Sequence, residues 1–188
     1  ELNNVRNHLN SYFLQTADID LGVSPWNIGA GWIPIGSNLT NFSGDYNGDS
    51  LKISNLTINT TTSYSGLFGV NNGGTIRNVK IINANIKQSG SYTGALVGLN
   101  VSSAFIINCS VTGTVNSDDG QYIGGIAGMN SISSTISGCF TDCDVTGFEF
   151  VGGFADQVVR TARAEQLLAG MVHKNDAVVL VNENSIGR

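Results

Sequence analysis

The stretch SYTGALVGLN (residues 91–100) decides the fold, because nearly the same phrase returns thirty residues later as QYIGGIAGMN (residues 121–130). A related phrase, SGLFGVN, stands at residues 65–71, and a shorter one, GGFAD, at residues 152–156. A constant period of this length is typical of a solenoid, in which each repeat has an apolar face that only its neighbours can cover. The central apolar residues recur after 29, 30 and 28 residues: Leu67, Leu96, Ile126 and Phe154.

A second phrase has a similar period and appears as ISNLTI (53–58), IRNVKI (76–81), IINCSV (106–111) and ISGCFT (136–141). Its copies are 23, 30 and 30 residues apart, and the short first step predicts an irregular opening coil. Small or apolar residues alternate with polar ones in these phrases, as at Cys109, Val111 and Val115. A period of two indicates β-strands, separated here by turns rich in Gly, Asn and Ser.

Two arrangements fit this pattern: antiparallel blades of a propeller, or a coil whose equivalent strands stack in parallel. Asparagines recur at two repeat positions, which suits stacked corners where Asn adopts the left-handed conformation and its amide bonds along the stack. A propeller blade needs about 40 residues. We therefore predict an all-β, right-handed parallel β-helix of about four coils with short helical caps. The asparagine columns are Asn55, Asn78 and Asn108, and Asn71, Asn100 and Asn130; a second interior column would be Leu56, Val79, Cys109 and Cys139.

The ends of the chain differ from the repeat. Leu2, Val5, Leu9 and Phe13 have helical spacing, so residues 2–14 are predicted to form a short amphipathic helix that covers the open edge of the first coil. Residues 1–20 would be a capping helix and a lead-in strand, and residues 21–156 the solenoid. Residues 157–188 would be a helix-strand cap or the start of another unit.

The phrase GLFG (residues 66–69) resembles the motif of the GLUG-motif family of bacterial surface proteins. The resemblance extends to YFLQTADIDL (12–21), WIPIG (32–36) and FSGDYNGDSLKISNLTI (42–58), and it covers roughly residues 12–156. Such modules are parts of large secreted or cell-surface proteins, including adhesin-like proteins and noncatalytic regions of immunoglobulin A peptidases. The resemblance implies a scaffold and not a reaction.

The composition argues against several classes of partner. Charged residues make up 12% of the chain, against an average of about 25%, and the net charge is -5. Nine Lys and Arg residues form no basic stripe, which argues against nucleic acid and anionic membrane surfaces. No apolar run approaches the ~18 residues of a membrane helix. We expect a secreted or cell-surface location without membrane insertion, and the oligomeric state stays open.

The cysteines have two interpretations. Cys139 and Cys143 lie about 13 Å apart on one strand, too far for a disulfide or a shared zinc ion. Cys109 and Cys139 are one coil apart, so a disulfide between them is an alternative to three small buried residues.

The segment DYNGDS (residues 45–50) resembles the start of a calcium loop at Asp45, Asn47 and Asp49. The glycine that such a loop requires is replaced by Ser50, and its final glutamate by Leu56. Turn formation therefore explains the segment better, and no metal site is predicted.

Aromatic residues also recur at one repeat position: Tyr92, Tyr122 and Phe150. An exposed stack of such rings would bind sugars. Each residue precedes a column residue such as Leu96 by an even offset of four, however, so in an unbent strand it faces the interior. Core filling is the favoured prediction.

The two histidines, His8 and His173, fall in the two proposed caps, and no nucleophile clusters near them. We therefore predict no catalytic residue and no cofactor. The favoured function is a noncatalytic extracellular β-solenoid module that serves as an adhesive surface or a stalk, with a host glycan or a cell-surface protein as partner. The alternative is a carbohydrate-active enzyme, a polysaccharide lyase or hydrolase on the same coil. The candidate binding face comprises Ser110, Thr112, Thr114, Asp142 and Asp144.

Overall fold

The computed structural model describes residues 1–131 and 133–154, which form a parallel β-solenoid of about five turns. In chain order, its elements are the 3-10 helix η1 (Leu2–Asn7) and the strands β1 (Tyr12–Leu14), β2 (Ile19–Asp20), β3 (Asp45–Asn47), β4 (Lys52–Ser54), β5 (Thr57–Thr60), β6 (Phe68–Asn72), β7 (Thr75–Arg77), β8 (Lys80–Gln88), β9 (Thr93–Gly94), β10 (Val97–Val101), β11 (Phe105–Ile107), β12 (Ser110–Gly124), β13 (Ala127–Asn130), β14 (Thr135–Ser137) and β15 (Phe140–Gly152).

The strands form three parallel sheets that run along the solenoid axis. One sheet has the order β1-β3-β7-β11-β14, the second β13-β10-β6, and the third β15-β12-β8-β4-β2. All pairings between these strands are parallel. The predicted all-β class and parallel stacking are confirmed.

The solenoid has about five turns, where the sequence predicted about four. The additional turn is the first one, which lacks the Gly-x-Asn phrase. Ile35 stands there beside Phe68, and Phe42 stands beside Asn71. Because large apolar residues replace the phrase in this turn, the period in the sequence does not reveal it.

The interior column built on the repeated phrase is confirmed. Leu67, Leu96 and Ile126 are fully buried, and Phe154 packs at the end of the column. The N–H of Phe68 donates to the Leu96 carbonyl, so the phrases of successive turns lie directly over one another. Burial of each large aliphatic side chain contributes roughly 1.5–3 kcal/mol.

A column of buried asparagine amides runs beside this core. The Nδ2 of Asn71 donates to Oδ1 of Asn100 at 2.8 Å, and the Nδ2 of Asn100 donates to Oδ1 of Asn130 at 2.8 Å. The predicted bonding of amides along the stack is therefore confirmed for this column. The predicted left-handed conformation is not found there, because it occurs at Asn55, Asn78 and Asn108 and not at these three residues. The Oδ1 of Asn71 has no partner among the described residues, because the preceding turn offers Phe42 and not another amide.

The alignment of the second phrase is wrong in its first copy. Ile53 pairs with Ile81, and Tyr46 is the residue that pairs with Ile76. The same shift removes Leu56 and Asn55 from the columns predicted for them. The step of 23 residues arose because the two similar segments, 53–58 and 76–81, begin on different sheets. The turn that contains the first segment is itself regular.

Glycines in the repeated phrase lie where successive turns approach too closely for a side chain. A Cβ on Gly98 would lie 2.7 Å from the Gly69 carbonyl oxygen, and one on Gly128 would lie 2.6 Å from that of Gly98. Contacts this short with backbone atoms require the chain to move. The phrase thus repeats its glycines because the close approach repeats.

The N-terminal helix is shorter than the predicted span of residues 2–14. It is a 3-10 helix over Leu2–Asn7, and it buries Leu2 and Val5 against the first turn. Phe13 belongs to β1, where it pairs with Tyr46. Parallel pairing with β3 outweighs the helical spacing there. The predicted cap at 157–188 lies outside the described residues.

Candidate binding surface

The predicted binding face lies on the last two turns, on the paired strands β12 and β15. Thr112 is in register with Asp142, and Thr114 with Asp144. Thr114 and both aspartates are exposed, whereas Val111 and Val115 of β12 are fully buried. Ser110 is half-buried beside Phe140. The structure therefore brings the predicted residues together on one outer face.

The hydroxyl of Thr112 already makes a hydrogen bond within the fold. Its Oγ1 accepts a hydrogen bond from the backbone N–H of Asn83 at 3.2 Å. Asn83 is the extra residue of β8 at a shift of register, and it has a left-handed φ of 57°. The hydroxyl therefore closes a β-bulge, and Thr114 is the more available of the two threonines.

Charge on this sheet changes sign along the axis. On β8 the exposed ammonium groups of Lys80 and Lys87 lie in register with Ser110 and Asn116 of the next turn. On β12 and β15 the exposed ionisable groups are carboxylates, so the last two turns are acidic. These carboxylates belong to Asp118, Asp119, Asp142, Asp144 and Glu149.

Four aromatic rings stack along one corner of the solenoid, and their placement contradicts the prediction that they fill the core. Neighbouring ring centroids lie 4.9, 4.9 and 5.0 Å apart, and the rings are within 2°, 6° and 11° of parallel. The first three rings are half-buried, and Phe150 is 48% exposed. The rings, which we call the aromatic ladder, belong to Tyr64, Tyr92, Tyr122 and Phe150.

The left-handed backbone explains why the even offset of four residues wrongly predicted that these rings face the interior. All four residues have φ between 53° and 66°, which interrupts the pleat, so alternation no longer fixes the face. The recurrence of Tyr or Phe one residue after a polar residue was the signal available in the sequence. Because each inner ring already stacks on its neighbours, the ladder offers ring edges and hydroxyls rather than ring faces. Burial, followed by the neighbouring phenols, raises the pKa of Tyr92.

All three cysteines are free thiols, so the alternative of a disulfide does not apply in this structure. The Sγ of Cys139 accepts a hydrogen bond from the N–H of Cys109 at 3.3 Å. The side-chain hydrogen bond to Cys139, together with burial, raises the pKa of the Cys109 thiol.

The segment that resembles a calcium loop begins in strand β3 and continues into a turn at residues 48–51, so the turn prediction holds for its second half. Asp45 pairs with the Arg77 guanidinium at 3.0 Å. The Oδ1 of Asn47 accepts from the Asp49 N–H at 3.0 Å and from Nδ2 of Asn78 at 2.9 Å. Within residues 1–131 and 133–154, no group of three or more His, Cys, Asp or Glu side chains could hold a metal ion.

A cleft of about 410 Å³ lies between η1 and the first turn. The buried Gln15 side chain in its lining has partners inside the protein. The Nε2 of Gln15 donates to the Ala17 and Lys52 carbonyls, and its Oε1 accepts from the Tyr46 hydroxyl. Burial raises the pKa of Tyr46. The side chains of Gln15 and Tyr46 that line the cleft are therefore satisfied by each other and by the backbone of the first two turns.

The chain is similar to halomucin from Haloquadratum walsbyi (strain DSM 16790 / HBSQ001), with 36% identity over 168 residues. The match covers 85% of this chain and 2% of halomucin, so the chain spans only a small part of that protein. No protein-family model matches the chain, and the resemblance to GLUG-motif proteins stays a prediction. No solved structure matches it significantly. None of the described helices has the length and apolarity needed to cross a bilayer. The likeness to halomucin and the β-solenoid together fit a surface repeat protein.

Proposed function

We propose that the chain is a noncatalytic β-solenoid module of a secreted or cell-surface protein, similar to GLUG-motif modules, and that it binds neutral glycans through the outer face of β12 and β15. One observation carries the proposal: Thr114 and Asp144 lie side by side on adjacent strands, exposed, next to the equally exposed Asp142. The likeness to halomucin supports the surface location.

The chemistry of this face favours neutral sugars over charged polymers. Carboxylates accept hydrogen bonds from sugar hydroxyls, and a threonine hydroxyl both donates and accepts. A hydrogen bond to a charged group contributes about 1.5–3 kcal/mol. The excess of carboxylates on the last two turns repels polyanions such as acidic polysaccharides or nucleic acid.

The test is a glycan array followed by binding isotherms for any neutral glycan retained. Asp144→Asn should weaken binding roughly ten-fold, which corresponds to about 1.4 kcal/mol. Asp49→Asn is the matched control, because Asp49 is also exposed and lies in the turn before β4. Equal losses in both variants would indicate a general charge effect and not this face. An array without binding above background would leave the role of a stalk.

A carbohydrate-active enzyme is the second candidate, and one observation favours it. Asp142 and Asp144 project from the same face of β15, with Cα atoms about 6.6 Å apart at 3.3 Å per residue. Glycoside hydrolases use two carboxyl groups about 5–9.5 Å apart, a separation that side chains on Cα atoms this close can reach. A general acid usually needs a buried, apolar setting, however, and both residues are exposed. Product release from a panel of polysaccharides would overturn the noncatalytic proposal.

A further inference from the structure

The chain contains six Asn-X-Ser/Thr tripeptides, the acceptor pattern for N-linked glycosylation when X is not proline. The sequence does not rank them. The structure ranks these tripeptides as glycosylation sites, because a glycan must project from the packed chain and the transferase must reach the acceptor amide. The acceptor asparagines are Asn38, Asn41, Asn55, Asn59, Asn100 and Asn108.

Two of these tripeptides are integrated in the interior. The amide of Asn100 is fully buried, and its Nδ2 donates to Asn130. At Asn41 the central residue is Phe42, which is fully buried and packs on Phe68 with ring centroids 4.9 Å apart. A glycan on Asn100 is incompatible with the fold, and access to the tripeptide at Asn41 requires Phe42 to leave the core.

Two others stand at corners whose central residue is in the core. Asn55 donates through Nδ2 to Asp20 and accepts through Oδ1 from Asn83, and the following Leu56 is fully buried. Asn108 has a left-handed φ of 52°, and the following Cys109 is 1% exposed. A glycosyltransferase could bind either tripeptide only if the central side chain, Leu56 or Cys109, left the core.

Asn59 is exposed, but its backbone is held on both sides. It lies in β5, where it pairs with Lys87 of β8, and its N–H donates to the Ala30 carbonyl at 2.9 Å. A strand whose backbone is paired in this way is not free to bind in the acceptor groove of a glycosyltransferase.

Asn38 combines an exposed tripeptide with a backbone that is not paired in a strand. It is exposed in the turn of residues 37–40, Thr40 is exposed, and the central Leu39 is 88% exposed. The turn is held from within, because the Oγ of Ser37 accepts from the N–H groups of Leu39 and Thr40 at 3.2 and 3.1 Å. Within the described part of the chain, the Asn38 side chain makes no hydrogen bond, so its amide is available.

We propose that Asn38 carries an N-linked glycan. The inference rests on the proposed surface location, because the transfer acts on exported chains and takes its glycan from a polyprenyl-phosphate-linked donor. The bond between sugar C1 and the phosphate oxygen breaks, and the lipid phosphate leaves with the electron pair. A bond forms between C1 and Nδ2 of Asn38, and one amide proton is released. The attached glycan would cover Leu39, a large apolar side chain that the fold leaves in water.

The experiment is glycopeptide mass spectrometry on the full chain recovered from the surface fraction of its own host. We expect a glycan at Asn38 and unmodified Asn41, Asn55, Asn59, Asn100 and Asn108. Thr40→Val should reduce occupancy at Asn38 to below detection, and Thr40→Ser, which keeps the hydroxyl, should retain it. Asn38→Gln removes the acceptor and gives the mass of the chain without this glycan, with which Thr40→Val should agree.

The outcomes separate this inference from the proposed function. A surface-located chain with unmodified Asn38 would overturn the inference alone. A glycan on the buried Asn100 would overturn the structural ranking. A chain that fractionates with the cytoplasm would overturn the inference and the proposed surface function together.

Discussion

The buried asparagine ladder makes the sharpest prediction about stability, and Asn100→Ala tests it at the middle rung. Asn100 accepts from Nδ2 of Asn71 and donates to Oδ1 of Asn130, both at 2.8 Å, and it is fully buried. Alanine removes both bonds and also a longer one, at 3.4 Å, that Nδ2 of Asn100 donates to the Ala104 carbonyl. Asn71 keeps its bond to the Gly74 carbonyl, whereas Oδ1 of Asn130 loses its amide donor in a site closed to water.

The magnitude follows from these contacts. Each of the two short hydrogen bonds costs about 1 kcal/mol when lost, and the orphaned Asn130 acceptor adds about 1–3 kcal/mol. The bond to Ala104 is long at 3.4 Å and adds little. We therefore expect Asn100→Ala to lower the free energy of unfolding by about 3–5 kcal/mol. Asn72→Ala is the matched control, because half-buried Asn72 makes one side-chain bond, to Oδ1 of Asn41 at 3.0 Å. Its expected cost is about 0.5–1.5 kcal/mol.

The assay is urea denaturation followed by circular dichroism, with the midpoint and the slope fitted separately. Asn100→Ala should lower the midpoint and leave the slope unchanged, because the unfolded surface is the same. Equal midpoints for Asn100→Ala and Asn72→Ala would refute the reasoning. A wild-type midpoint in Asn100→Ala would show that the ladder carries no stability.

Two further predictions follow from the close packing of turns and from burial. Gly98→Ala should lower the free energy of unfolding by about 3 kcal/mol or more, because the new Cβ would lie 2.7–2.8 Å from backbone atoms. Gly29→Ala is the control: its Cβ would lie in open space at φ 62°, so it should cost only about 1–2 kcal/mol of left-handed strain. Equal thermal stability of the two variants would contradict the close packing of turns. Burial raises the pKa of Tyr46 above the unfolded value of about 10, so the stability it contributes is complete below about pH 10 and is lost as the pH rises above it. Tyr46→Phe should lose unfolding free energy less steeply than the wild type above pH 10, and parallel profiles would count against this.

Part of the candidate surface was predictable because alternation is a local property. Thr114, Asp142 and Asp144 point outward, as a period of two requires when Val111 and Val115 are buried. The aromatic ladder was not predictable in this way. Its residues adopt a left-handed backbone, which interrupts the pleat, and alternation alone does not reveal where that conformation occurs.

The sequence by itself determined the repeating parts of this protein. The turns that carry the phrase have like residues in like surroundings, so the period alone placed Leu67 beneath Leu96 and Asn100 beneath Asn130. Only the tertiary structure decided the first turn, the pairing of Tyr46 with Ile76, and the choice of Asn38 among six similar tripeptides. Those outcomes depend on pairing and burial between residues that are distant in the chain, and no local pattern encodes which distant surface a residue will meet.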